Sequence, residues 1–246
     1  MVKSVGFIGR GKIASSAARA VMDGHVPGWR VVGALAGDTS PGSFPGPLFT
    51  TREAFFATRP DVIVEAAGPQ ALTEIGPEAL AVADVWTISA SALADQDFFD
   101  RMSRLGAAAG HRLRLLAGAF GGIDAVAALS ALPGAEIVLT AGWTGDDGST
   151  PAVRETASAR DIVSRHRGVN ALAAAAIAGA GLDRTTIDYT GNGPAGARVL
   201  AVAASAGGGL FSARSVPSVD PVGGPLIVVG SILAALRNET QTIWCG

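Results

Sequence analysis

Gly9-Arg10-Gly11-Lys12-Ile13-Ala14 reads G-x-G-x-x-A, a set of residue types and spacing suited to holding an anion. The first glycine allows a sharp turn, the second lets a diphosphate rest against bare backbone, and the small third residue lets the next helix sit close to its strand. The amides from Gly9 to Ile13 then face the anion, with the helix dipole behind them. An apolar run, Val5–Ile8, precedes the turn, and Ile13, Ala17 and Val21 follow it at helical spacing. The order strand, glycine turn, helix is the context this motif requires, and the ligand it implies is a dinucleotide, NADP or NAD.

The position about 20 residues beyond the turn, where an NAD-preferring site carries a carboxylate for the ribose hydroxyls, lies in Gly33-Ala34-Leu35-Ala36-Gly37-Asp38. Ala36 can line the ribose but offers it no acceptor, and Asp38 comes two residues later. Arg10 and Lys12 are placed to receive a 2′-phosphate, or they are solvated charges at a helix start. In an open α/β sheet the ligand lies beyond the carboxyl ends of the strands. Small residues occupy those places here: Ala66 and Ala67, then Ser89 and Ala90, then Gly118 and Ala119. They let a flat nicotinamide lie on backbone, with Ser89 or Ser91 bonding its carboxamide, or they are simply tight turns.

Strand patterns at Val5–Ile8, Trp29–Leu35, Val62–Glu65, Val85–Ser89 and Leu113–Leu116 alternate with helical patterns at Ile13–Met22, Ala71–Val82 and Asp97–Ala109. That βαβ rhythm predicts a parallel, Rossmann-type sheet with helices on its faces. After Gly118 the rhythm changes. A helix opening at Gly121-Gly122 and ending near Leu132, another over Asn170–Ala178, and strands at Glu136–Thr140, Thr185–Tyr189, Val199–Ala204 and Leu210–Ala213 predict a smaller α+β domain. The Pro217–Pro225 stretch reads as a loop delivering a last helix, Leu226–Leu236, back to the first domain, followed by a strand at Thr240–Trp244. The expected division is residues 1–118 plus 222–246 for the dinucleotide and 119–221 for catalysis and dimerisation.

Composition narrows the partners. Of 246 residues, 48% are hydrophobic and 16% charged, which fits packed α/β layers rather than disorder. A formal net charge of -2 supplies no basic field for nucleic acid or an anionic membrane, so a small-molecule substrate is expected. Cys245 is the only cysteine, so no intrachain disulfide can form, and no Cys/His set has zinc-site spacing. No leader pattern precedes Val5, and the apolar stretches at 171–182 and 226–236 fall short of the roughly 20 residues that span a bilayer. The expected location is the cytoplasm.

Several segments, in order, resemble the L-aspartate dehydrogenase family: Gly6-Phe7-Ile8-Gly9-Arg10-Gly11, Val64-Glu65-Ala66-Ala67, Ile88-Ser89-Ala90-Ser91-Ala92 and Gly118-Ala119-Phe120-Gly121-Gly122-Ile123-Asp124. Val169-Asn170-Ala171-Leu172-Ala173 and Val216-Pro217-Ser218 with Asp220-Pro221 are similar to its later motifs. The resemblance implies a homodimer of two-domain subunits using NAD or NADP in the reversible oxidative deamination of aspartate, and it puts Asn170 at the catalytic cleft.

One departure touches the chemistry. The family's histidine, on a strand of the second domain, falls here on Arg198, and its Phe-Pro-x-Asn run becomes Arg165-His166-Arg167-Gly168. Arginine stays charged and is a poor proton shuttle, but it makes a bidentate clamp for a carboxylate. One reading gives Arg198 a substrate carboxylate and His166 the acid/base role; the other leaves Arg198 at a strand edge and His166 in a basic surface turn. The alternatives at the level of function are a dehydrogenase or reductase of another substrate on the same scaffold, or a non-catalytic NAD(P)-binding sensor.

Overall fold

In the computed structural model the described residues are 2–38, 42, 44–144, 153–166, 169–191, 197–206, 209–215 and 226–243. The chain divides into two compact units, Met1–Gly118 with Val228–Gly246, and Ala119–Ile227.

The first unit runs β1 (Lys3–Ile8), α1 (Lys12–Met22), β2 (Trp29–Leu35), β3 (Leu48–Phe49), α2 (Arg52–Phe56), β4 (Val62–Glu65), α3 (Pro69–Leu80), β5 (Asp84–Thr87), α4 (Gln96–Ala109) and β6 (Leu113–Leu115). A short 3-10 turn, Ala90–Ala94, lies between β5 and α4. The strands form one sheet in the order β3-β2-β1-β4-β5-β6, and every pairing is parallel. This is the Rossmann-type α/β sheet that the alternation predicts. β1 is flanked by β2 on one side and β4 on the other, so the strand order reverses there, which is where such sheets bind ligands. Helix α1 buries Ala14, Ser15, Ala17, Ala18 and Val21; these small side chains let its axis approach β1.

A carboxyl-terminal helix, α8 (Leu226–Thr240), completes this unit's core: Val229, Ile232, Ala235 and Leu236 cluster with Val5, Phe7, Trp29 and Trp86. Trp29 Nε1 donates to the Leu236 carbonyl at 2.7 Å, so the indole's polar edge is satisfied inside the core. The strand expected at Thr240–Trp244 does not form over its described residues. The Gln241 amide instead bonds back to the Arg237 carbonyl, and the Thr240 hydroxyl donates to that same carbonyl at 3.2 Å, so the chain closes the last helical turn. Trp244 lies outside the described residues, as does the expected Pro217–Pro225 loop.

The entry to β4 carries a titratable lock. Asp61 Oδ2 accepts from the Ser4 amide at 2.7 Å and the Ser4 hydroxyl at 2.6 Å, tying β1 to β4. The Ser4 hydroxyl bond chiefly, with help from the Ser4 amide and the Lys3 and Arg30 charges, lowers the Asp61 pKa below its ordinary 3.8 against an opposing desolvation. A depressed folded-state pKa stabilises above the unfolded value and is lost as pH falls through the folded one. Asp61→Asn is therefore expected to be less stable than wild type at neutral pH, with the difference in urea midpoint closing below pH 3.8. A difference that stayed constant from neutral to acid pH would refute this role.

The second unit runs α5 (Ile123–Ser130), β7 (Glu136–Thr144), β8 (Val153–Ser158), α6 (Ala159–Arg165), α7 (Asn170–Ala178), β9 (Thr186–Gly191), β10 (Ala197–Ala206) and β11 (Gly209–Ser215). Its sheet has the order β11-β10-β7-β9-β8, with β7 and β9 parallel and the other pairs antiparallel. Ile137, Leu139 and Ala141 alternate inward along β7 while Thr140 is exposed, the period-2 pattern of a half-covered sheet. α7 is apolar nearly all round and buries Leu172 through Ala176. This is the smaller α+β part that the change of rhythm predicts; β8 and α6 are additions to it.

Candidate active site

The glycine turn has a conformation that side chains would spoil in two different ways. Gly9 has φ +99°, and a Cβ there would stand 2.9 Å from the Ala67 Cβ. Its amide donates to the Leu35 carbonyl at 2.9 Å, pinning the turn to the end of β2. Gly11, the N-cap residue before α1, is extended with φ -67° and ψ -179° and has no side chain of its own to cap the helix start. Among the described residues, no atom beyond its chain neighbours lies within 4 Å of where a Gly11 Cβ would be. A helix start with glycine as its N-cap fits a diphosphate. The first turn of α1 also carries no acidic residue to repel one.

Around the turn, Arg10 Nη2 pairs with Asp38 Oδ1 at 2.7 Å. The carboxylate two positions past Ala36 therefore meets the guanidinium of the turn. Lys12 is exposed and Ile13 half-buried against the core. The Ala36 amide is taken by the Phe49 carbonyl at 2.9 Å, a consequence of β3, which the sequence patterning missed.

At the other strand ends, the Ala66 amide donates to the Ile8 carbonyl at 3.0 Å, joining the β4 turn to β1. Ser89 is 1% exposed and donates its amide to Thr87 Oγ1 at 2.9 Å, while Ala90 begins the 3-10 turn. Gly118, with φ +60°, ends the first unit and Ala119 begins the second. Sequence reasoning overlooked Glu65 and Thr87 as contributors: both are fully buried, and Thr87 donates its hydroxyl to Glu65 Oε2 at 2.5 Å. An acidic residue closing the apolar run Val62-Ile63-Val64 was the signal available.

Within the second unit His166 is half-buried. It follows α6 with Nε2 3.0 Å from Glu155 Oε2, and its ring stacks on Tyr189 at 4.1 Å between centroids and 28° between planes. Arg165 also pairs with Glu155. A carboxylate facing Nε2 pairs with a proton on that nitrogen. Asn170 is the first residue of α7, four residues beyond His166. Arg198 on β10 is in register with Trp143 on β7, and Ala141, two residues back along β7, is in register with Tyr189 on β9. The fold thus gathers Glu155, His166 and Tyr189, and it carries the Arg198 backbone to the neighbouring step of the same sheet. Among the described residues no group of His, Cys, Asp and Glu is arranged to hold a metal ion, and no helix is long and apolar enough to cross a membrane.

A parallel Rossmann-type sheet with an open glycine turn at its switch point, joined to a mixed-sheet unit, defines the architecture of a nicotinamide-dependent oxidoreductase. Residues 9–116 match the family model for the NAD-binding domain of homoserine dehydrogenase. The L-aspartate dehydrogenase of Ruegeria pomeroyi is 32% identical over 204 residues, covering 75% of this chain and 74% of that one. L-aspartate dehydrogenase 1 of Bordetella pertussis is 34% identical over 233 residues, 85% of each. In fold, the crystal structure of aspartate dehydrogenase from Thermotoga maritima superposes with a TM-score of 0.77 at 18% identity, each chain covered in full at 100%. The chain belongs to the L-aspartate dehydrogenase family, and it is an NAD(P)-dependent dehydrogenase.

Proposed function

We propose that this protein catalyses the reversible oxidative deamination of L-aspartate, working as a homodimer in the cytoplasm. The observation that supports this most directly is its 34% identity, over 85% of each chain, with an L-aspartate dehydrogenase. Residues 1–118 with 222–246 hold NAD or NADP, through the amides of Gly9 to Ile13 and, at the ribose and nicotinamide, through Arg10, Ala36, Ala66, Ala67, Ser89, Ala90 and Gly118, with Ala119 directly following. Residues 119–221 supply the substrate chemistry and the dimer contacts.

The bound nicotinamide supplies the acceptor for the hydride that leaves the aspartate α-carbon. Arg198 clamps a substrate carboxylate with its planar fork. His166, oriented by Glu155, takes the proton that nitrogen releases as the C=N bond forms, and returns it when water adds and ammonia departs. Asn170 orients the substrate beside it. Fixing these groups before the reaction contributes through proximity and preset electrostatics rather than through a covalent intermediate.

The test is a panel of oxo acids with ammonia and either NADH or NADPH, followed by loss of reduced-cofactor absorbance. Oxaloacetate is expected to exceed pyruvate and 2-oxoglutarate by on the order of 100-fold in kcat/KM, since pyruvate lacks the second carboxylate and leaves its polar partner unpaired, while 2-oxoglutarate carries it one methylene out of place. Arg198, at the position of the family's histidine, favours a second reading in which the substrate is a different amino acid. A higher kcat/KM with any other oxo acid would select that reading and overturn the first.

A further inference from the structure

Glu65 is wholly buried at the carboxyl end of β4, with Cα partners Ile8 on β1 and Thr87 on β5. It therefore stands at the reversal of strand order, between the two mononucleotide-binding halves of the sheet. Both of its oxygens are engaged. Oε1 accepts from the Ala67 amide at 2.7 Å and the Gly68 amide at 2.8 Å, and Oε2 accepts from the Thr87 hydroxyl at 2.5 Å. Thr87 Oγ1 in turn accepts from the Ser89 amide at 2.9 Å.

Two consequences follow from this connectivity. The amides of Ala67 and Gly68 lead into α3 as those of Arg10 and Gly11 lead into α1, and Glu65 fills the first pair with an internal anion. The same carboxylate also sets two walls of the ligand space: Ala67, which lies within contact of Gly9, and through Thr87 the Ser89–Ala90 turn of the next strand.

We propose that Glu65 and Thr87 are positioning residues that hold the nicotinamide-side loops in register with the diphosphate turn. They act through the backbone of Ala67, Gly68 and Ser89 and touch neither cofactor nor substrate. The Oε1 arm shapes the wall against Gly9, and the Oε2–Thr87 arm shapes the seat of the nicotinamide half. The inference rests on the reading of this chain as an NAD(P) binder and is independent of which amino acid it oxidises.

Calorimetric titration without substrate tests it, using NADH and, as a ligand lacking nicotinamide, ADP-ribose; NADPH and 2′-phospho-ADP-ribose replace them if wild type binds those more tightly. Thr87→Val leaves the Ala67 and Gly68 bonds in place but strands both the Ser89 amide and Glu65 Oε2. It is expected to weaken the dinucleotide about 10-fold while ADP-ribose changes less than about 3-fold, because a buried donor left without a partner is felt locally. Thr87→Ser keeps the hydroxyl and is expected to restore wild-type affinity. Glu65→Ala is expected to weaken both ligands at least about 10-fold, and Glu65→Gln to recover ADP-ribose binding, since one amide oxygen can still accept from both backbone groups. Equal weakening of both ligands by Thr87→Val, no weakening of either, or failure of Thr87→Ser to rescue would overturn the proposal. If Glu65→Ala does not fold, the Thr87 pair decides alone. Wild-type protein that bound neither ligand would instead sink the cofactor reading itself.

Discussion

Gly11→Val is expected to fold as wild type does and to bind NADH and NADPH at least about 50- to 100-fold more weakly, a difference of about 2.5 kcal/mol. The two halves of that result have separate causes. On the protein side, Gly11 is extended, and among the described residues no atom beyond its chain neighbours lies within 4 Å of the place a Cβ would take. Any side chain fits there, and the cost is that valine precedes a helix less well than glycine, about 1 kcal/mol, or a fall in Tm of about 2–4 °C. On the ligand side, the branched side chain fills the space through which a diphosphate reaches the helix amides. Gly9→Val is the instructive contrast. Its φ of +99° and the 2.9 Å approach to Ala67 mean that substitution there damages the fold together with binding. Thermal melts and titration of both variants would separate the two effects, and undiminished binding by a folded Gly11→Val protein would show that the turn is a packing device.

His166→Asn is expected to lower kcat by about 100- to 1000-fold, the usual contribution of a positioned general acid/base, while leaving cofactor affinity unchanged. The reason lies in the arrangement of the second unit: Glu155 holds Nε2 at 3.0 Å and Tyr189 packs the ring face, so the imidazole is fixed before substrate arrives. Asparagine can keep a hydrogen bond to Glu155 but cannot exchange a proton near neutral pH. Steady-state kinetics with saturating cofactor would check this. A kcat within about 3-fold of wild type would remove His166 from the chemistry and leave it as a packed partner of Glu155 and Tyr189.

Those elements whose patterning is strictly local were legible in the amino-acid sequence. Trp29–Leu35, Val62–Glu65 and Asn170–Ala178 have the bounds their apolar runs predict, and α1 begins directly after the glycine turn. β3 has two residues and α2 five, too few for any period to show. β8, Val-Arg-Glu-Thr-Ala-Ser, lies at the edge of its sheet, where one-sided pairing lets polar residues dominate. The β-branched and aromatic residues near Thr240–Trp244 favour a strand on propensity, yet α8 continues to Thr240, with Trp29 held at Leu236 and Lys3 paired with Glu239 at 3.0 Å.

The same division runs through the site. The glycine turn is a contiguous motif and could be read directly. Glu65 and Thr87 are 22 residues apart and meet only when β4 pairs with β5, so their bridge depends on register. In sequence His166 reads as part of a basic turn because its partner, Glu155, sits on β8, the strand that composition concealed. Asp38 falls two residues beyond the ribose position in the chain, but the turn after β2 brings it to Arg10.

Titration calorimetry of the wild-type chain with NADH and with NADPH tests the central claim, that the amides from Gly9 to Ile13 receive the diphosphate of a pyridine nucleotide. Saturable heat at one site per chain with at least one of the two, abolished in Gly11→Val, is the predicted result. No saturable heat with either nucleotide, from protein that melts cooperatively, would contradict it.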